Sequence, residues 1–226
     1  MQPYFLPYIG YWQLLNEVET LVISNDTKYI KQSWINRNRI ILNSKVVYIT
    51  IPLKSASDYA LIKERTIATD FDDKSQLQKI CHSYGIIEID HRKKLLETIL
   101  SSESRALDKF LLQSITQLCK YLKITCNLIM ASDIEIPSNL RKEERIYFVG
   151  DSLGSSQYFN LPGGRQLYNK EKFEENGFSL NFINPHLIPY EQNIDGFTPY
   201  LSIMDLILSV DNEEVIANHL YSYTVD

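Results

Sequence analysis

The chain has 226 residues, 44% hydrophobic and 23% charged, with a formal net charge of −5. That length suffices for one large domain with a sizeable core, and the acidic balance excludes a broad nucleic-acid surface, which needs clustered basic residues. No apolar run approaches the roughly 18 residues of a membrane span, and Cys81, Cys119 and Cys126 lack metal-type spacing, so reduced thiols in a cytoplasmic protein are expected.

QPYFLPYIG (2–10) carries two prolines and a glycine, which predicts a fixed-shape loop. From Tyr11 to about Val18 the apolar positions Trp12, Leu14 and Leu15 predict a short amphipathic helix. TLVIS (20–24) reads as a buried strand stopped by Asn25-Asp26. Residues 27–39 are polar and aromatic without period, hence a structured loop. IILNSKVVYITIPL predicts a hairpin turning at Asn43-Ser44-Lys45. Residues 55–70 are loop-like, with one short strand expected at LIKERTIA.

From about 73 to 122 the pattern becomes helical, through KSQLQKICHSYG, HRKKLLETIL and ALDKFLLQSITQLCKYL, with Gly85 as a stop. TCNLIMAS (125–132) is a strand following at once, which is the α/β signature. SNLRKEERIYFVGDSLG predicts a helix with Ser138 as cap and Gly154 as terminator. A strand SQYFNLP, a Pro162-Gly163-Gly164 turn, a helix KEKFEENG and a strand SLNFINP follow. PYLSIMDLILSV and EEVIANHLYS are the last helices. The pattern predicts one α/β domain spanning 1–226: a mixed, mostly parallel sheet with flanking helices and a helical insertion around 73–122.

Several of these stretches are similar to one family. QPYFLPYIGYWQLL, NDTKYIKQSWINRNRI, YITIPLK, the ASD at 131–133, FNLPGGRQLY and PYLSIMDLIL together resemble, in order, the WbqC-like family of bacterial proteins. The resemblance implies cytoplasmic work on an activated sugar of surface-polysaccharide (O-antigen, lipopolysaccharide) biosynthesis, with glycine transfer onto amino sugars among the chemistries. The slot holding Pro7, Gly10 and Tyr11 looks like the place where nucleotidyl-transferring α/β enzymes carry His-x-Gly-His, so a Rossmann-like, nucleotidyltransferase-like sheet is expected. Members of that family usually carry an apolar strand just before the Met-Gln-Pro, where this sequence begins. HSYGIIEID also departs from the aromatic-proline character common in the family.

The chemistry-bearing residues fall into four groups. Gln2, Pro3, Tyr4, Pro7, Gly10 and Tyr11 occupy a loop-to-helix slot where glycine lets backbone amides approach a phosphate. Tyrosines stand where nucleotide enzymes keep histidines, so the same loop also reads as a Pro-braced turn packing aromatics. Asn36-Arg37-Asn38-Arg39, with Asp26, Lys31 and Trp34 before it, alternates so that the arginines share one face and the asparagines another. An arginine pair matches phosphate or carboxylate oxygens. The plainer alternative has the asparagines satisfying backbone and the arginines solvated.

Ser132 and Asp133 close a strand, with Asp133 a base, a ligand or a cap, and Lys54 follows another strand. Gly163 and Gly164, with Arg165 and Tyr168, offer a close backbone approach, a positive-φ turn or simply a tight turn. The four histidines are scattered without zinc-type spacing, so no metal site is expected. The residues expected to carry chemistry are therefore Asp133, Lys31 and Arg37. The expected partners are a nucleotide-linked amino sugar and a small acyl or amino-acid donor, with ATP and magnesium as candidate cofactors and a homo-oligomer allowed. A non-catalytic nucleotide-sugar binding or assembly protein remains the alternative.

Overall fold

A computed structural model describes residues 1–102 and 104–226. Its strands are β1 (Thr20–Ile23), β2 (Arg37–Leu42), β3 (Lys45–Thr50), β4 (Asn127–Met130), β5 (Gln157–Asn160), β6 (Ser179–Pro185) and β7 (Tyr223–Val225). The helices are α1 (Ile9–Glu17), α2 (Asp73–Ser83), α3 (His91–Leu100), α4 (Leu107–Tyr121), α5 (Lys142–Leu153), α6 (Lys170–Glu175), α7 (Ile203–Ser209) and α8 (Glu213–Leu220). The result is mixed α/β, but the strands form three small sheets and not one mostly parallel sheet. β1 pairs with β4 in parallel, β2 with β3 antiparallel, and β6 lies between a parallel β5 and an antiparallel β7. Asn43 and Ser44, both at positive φ, close β2–β3 as a two-residue hairpin, while pairing between strands distant in sequence, Thr20 with Asn127 and Gln157 with Ser179, sets the other two sheets.

Other differences concern single segments. LIKERTIA forms a 3-10 turn at Ile62–Glu64 flanked by single bridges, because its backbone bonds go to residues 25–29 and to Arg105 and Leu107 rather than to a strand. The fifth helix starts at Lys142 with Arg141 at its cap, so Ser138 plays no capping part, while Gly154 ends it at φ +67°. The Pro-Gly-Gly segment is a 3-10 helix, Pro162–Leu167, and the short strand β7 had no legible signal.

The main core joins the N-terminal loop, α1, β1–β3 and helices α2–α4, α7 and α8 around Phe5, Trp12, Ile40, Phe110 and Ile207. Helices 73–122 thus pack into this core. A second cluster, Phe173, Phe178, Leu180 and Phe182, is closed over by Ile146, Tyr147, Tyr158 and Tyr168. Among the described residues no helix is long and apolar enough to cross a membrane.

Asp90 caps α3 and binds Arg92 at 2.6 Å, while the Arg92 guanidinium also reaches the Leu208 carbonyl at 3.3 Å. The hydrogen bonds from Arg92 hold the Asp90 carboxyl down at about 2. A carboxyl whose folded pKa lies below its unfolded value of about 3.9 stabilises the fold above that value and loses this contribution as pH falls towards 2. Asp90→Asn is therefore expected to be less stable than wild type at pH 7, with the gap closing between about pH 4 and 2. Urea unfolding across that range measures it; a gap independent of pH would refute it.

Candidate functional site

The parallel pair β1–β4 ends at Ile23 opposite Met130. Polar residues follow both strands, as expected where open α/β sheets bind ligands. Asn25, only 1% exposed, donates through Nδ2 to Asp108 Oδ2 (2.9 Å) and Ser132 Oγ (3.0 Å), and its Oδ1 accepts from the Ser132 N–H. Ser132 Oγ in turn donates to Asp133 Oδ1 at 3.3 Å. Both Asp26 oxygens accept from Arg145 on α5, at 2.7 and 2.8 Å. Gln2 Nε2 donates to Thr27 Oγ1 at 3.3 Å, because the chain start runs beside β1, with Met1 bonded to Val22 and Ser24. Gln2, Asp26, Ser132 and Asp133 therefore meet at one end of this sheet. Asp26 and Asp108 are engaged by partners, and Asp133 is exposed.

The N-terminal loop is held from beneath. Asn38 Nδ2 donates to the Phe5 and Leu6 carbonyls at 3.0 and 2.8 Å, fixing Leu6 at φ +47°. Trp12 Nε1 donates to Pro7 O at 2.9 Å, and the Tyr11 hydroxyl to Gln2 O at 3.2 Å. A Cβ on Gly10 would lie 2.6 Å from the Tyr8 ring, so this glycine makes room for Tyr8. Tyr4 packs on Tyr11, and Pro3 and Pro7 are buried. Burial, with help from Tyr200 and Tyr4, pushes the Tyr8 phenol up to about 12, and burial raises Tyr4 and Tyr11 as well. At neutral pH these phenols stay protonated and shape the loop.

Strand alternation then splits the Asn-Arg-Asn-Arg run. Asn36 turns inward, accepting from the Tyr29 hydroxyl and donating to Ile51 O, both at 2.8 Å. Arg37 and Arg39 turn outward onto aromatic faces. The Arg37 guanidinium lies 4.5 Å from the Tyr48 ring, Arg39 lies 5.6 Å from Trp34, and those two rings stack at 6.3 Å. Arg37 also donates to the Gln32 carbonyl, and Arg39 to that of Tyr200 at 3.2 Å. The Nε groups of both arginines are buried without a hydrogen-bond partner, and among the described residues neither is in an ion pair. Tyr200 meets Tyr8 edge-on at 5.7 Å, which joins this strip to the N-terminal loop.

Tyr48 also lines an open groove of about 730 Å³ between β3 and the segment from Asp70 to Ile80. Thr50, Phe71, Ser75, Gln76 and Lys79 face it, and Gln76 Nε2 has no partner. An aromatic wall with amide, hydroxyl and charged groups suits a polyhydroxylated ligand.

The remaining expected residues lie elsewhere. Lys31 is exposed and paired with Asp58 at 2.5 Å, and the exposed Lys54 continues backbone pairing with Thr66. Gly163 and Gly164 have no positive φ, and a Cβ on Gly164 would meet Asn160 Nδ2 at 2.3 Å, so that glycine permits helix–side-chain packing. Arg165 lies 4.4 Å from the Phe182 ring and binds Asn184 and Asp226 at 2.6–2.8 Å, and Tyr168 packs edge-on against Tyr158 and Phe173. This group braces the second cluster. Asn25 is marked in the sequence only as a strand stop, and nothing local distinguishes Asp108 or Arg145. Asp205 did leave a signal, one carboxylate inside the apolar run IMDLILS. Among the described residues no group of three His, Cys, Asp or Glu is placed to hold a metal ion.

Comparison with known proteins adds three findings. The sequence model described as "WbqC-like protein family" matches residues 2–217. The uncharacterized protein Rv1507c of Mycobacterium tuberculosis is similar to the chain, 24% identical over 228 residues, spanning 94% of this chain and 93% of the mycobacterial one. No solved structure matches significantly.

Proposed function

Because the chain belongs to the WbqC-like protein family, we propose that it acts in surface-polysaccharide sugar biosynthesis, forming an amide on a nucleotide-linked amino sugar. The transferred group would be acyl or aminoacyl, such as glycyl, and the work cytoplasmic. The observation that carries this reading is the outward strip of Arg37, Tyr48, Trp34 and Arg39, whose arginine Nε groups lack partners. Two guanidiniums answer the negative charge of a diphosphate or carboxylate, and flat aromatic faces answer a base or sugar ring. The carboxyl ends of β1 and β4 would supply further polar groups, which suits a Rossmann-like, nucleotidyltransferase-like reading.

In the reaction the sugar amine attacks the carbonyl carbon of the activated donor. A C–N bond forms, the bond from that carbon to its leaving oxygen breaks, and the leaving group departs with the electron pair. The surplus ammonium proton passes to the exposed carboxylate of Asp133, while Gln2 and Ser132 orient the amine. A donor arriving as a free acid needs ATP with magnesium to activate its carboxyl; a pre-activated donor needs neither. Positioning and charge stabilisation then supply the rate.

Incubation with ATP, amino acids and nucleotide-linked amino sugars, read by mass spectrometry, tests this. The sugar should gain the mass of the donor acid less one water. Arg37→Ala is expected to weaken sugar-nucleotide binding by about tenfold or more, the scale of a lost charge-assisted hydrogen bond, with the circular dichroism unchanged. No mass gain under any combination would overturn the catalytic reading. A second reading, a non-catalytic nucleotide-sugar binding or assembly protein, draws on the engagement of Asp26 and Asp108 by Arg145 and Asn25. Ligand stabilisation without turnover would favour it.

A further inference from the structure

Arg65 is a buried cation that the reading above does not use. Only 7% exposed, it lies with its guanidinium 4.6 Å from the Tyr29 ring and donates through Nη2 to Lys54 O at 3.1 Å. Its Nε–H is buried without a partner, and among the described residues no carboxylate lies within 4.0 Å of it. A guanidinium withdrawn from water and left unpaired is costly, so an anion that reaches it gains more than it would at the surface.

Further cations, Lys28, Lys31 and Arg37, lie on or just after the chain segment that carries Tyr29. Tyr29 donates to Asn36, the residue before Arg37, and its phenol lies within the fields of Arg65, Arg37 and Lys31, which pull against the upward push of burial. Lys31 is held by Asp58, and Lys28 lies 4.9 Å from the Tyr59 ring on the same loop. Asp58 is held below its ordinary value by hydrogen bonding to Lys31 first, with Lys28 and Arg65 adding to it. It is thus an exposed anion set among cations.

We propose that Arg65, with Lys31 and Arg37 around Tyr29, forms a diphosphate-binding subsite whose internal competitor is the Asp58 carboxylate. This rests on the sugar-nucleotide reading for its physiological ligand and deepens it by naming the group that is gripped. The planar fork of Arg65 would take two phosphoryl oxygens, and Lys31 would leave Asp58 for a third.

Calorimetric titration with inorganic pyrophosphate, and separately with uridine diphosphate, tests it without any turnover. Arg65→Lys keeps the charge and loses the fork, and is expected to weaken both ligands by about tenfold. Lys31→Gln changes an exposed side chain outside the core and is expected to weaken binding about threefold or more. Asp58→Asn is expected to tighten binding severalfold, the scale of releasing one exposed ion pair. Absence of binding to wild type, wild-type affinity in both Arg65→Lys and Lys31→Gln, or weakened binding in Asp58→Asn would each overturn the proposal. Binding with these effects but without an amide product would leave the subsite standing and sink the catalytic reading alone.

Discussion

Asp205→Ala is expected to lower stability by about 3–5 kcal/mol, because it strips a buried carboxylate from three donors at once. Asp205 is fully buried in α7 and accepts hydrogen bonds from the Tyr84 hydroxyl, from the Tyr190 hydroxyl at 2.7 Å and from Gln192 Nε2 at 2.9 Å. Tyr84 itself accepts from the Ile41 N–H at 3.0 Å, so one carboxylate ties α7, the end of α2, strand β2 and the 190–192 segment together. Burial, reinforced by Asp205, pushes both phenols far above their ordinary range, so they remain donors at any pH the fold survives. For a chain of this size the loss corresponds to a fall of roughly 10 °C in Tm. Tyr84→Phe, which removes one donor and the Ile41 acceptor, should cost less, about 1–3 kcal/mol. Denaturant unfolding of both variants measures this. A loss below about 1 kcal/mol for Asp205→Ala would mean that water replaces the carboxylate, and the proposed tie would fall.

Asn38 carries the second large effect, on the N-terminal loop. Its amide holds two successive carbonyls, Phe5 and Leu6, while its Oδ1 accepts from the Arg39 N–H at 2.8 Å. Asn38→Ala leaves the two loop carbonyls without their donor and should cost about 2–4 kcal/mol. Leu6 at φ +47° is a conformation that a non-glycine residue keeps only when its surroundings enforce it. Hydrogen exchange of residues 2–10 should therefore accelerate well beyond that of the α4 core, and sugar-nucleotide binding should weaken with it. Asn38→Asp separates donation from packing: it is nearly isosteric, but its carboxylate cannot donate. Wild-type stability and exchange in Asn38→Asp at pH 7 would show that shape, not the hydrogen bonds, holds the loop.

How much of this was legible depends on the range of the forces involved. The β2–β3 turn at Asn43-Ser44 and the stop at Gly154 follow from positive-φ preferences of one or two residues. The alternation that sends Arg37 and Arg39 to one face and Asn36 and Asn38 to the other follows from the period of a strand. The asparagines do satisfy buried groups, yet the arginines are neither simply solvated nor, among the described residues, ion-paired, because Trp34 and Tyr48 lie against them.

The run at 162–165 shows the opposite case. Two glycines beside an arginine suit a phosphate turn, but Asn160, Asn184 and Asp226 take up that geometry first. Asn184 and Asp226 are distant in sequence from the turn they brace.

By itself, then, the sequence determined the mixed α/β character, most element positions, the family and the two faces of the Asn36–Arg39 run. Each of these rests on interactions between near neighbours or on a pattern spread along the chain. Only the tertiary structure decided that the strands divide among three small sheets, that Asn25, Asp108 and Ser132 interlock beyond β1 and β4, and that Arg65 lies buried against Tyr29. Pairings between residues far apart along the chain depend on which buried polar group finds its partner first in space, and neither composition nor periodicity encodes that.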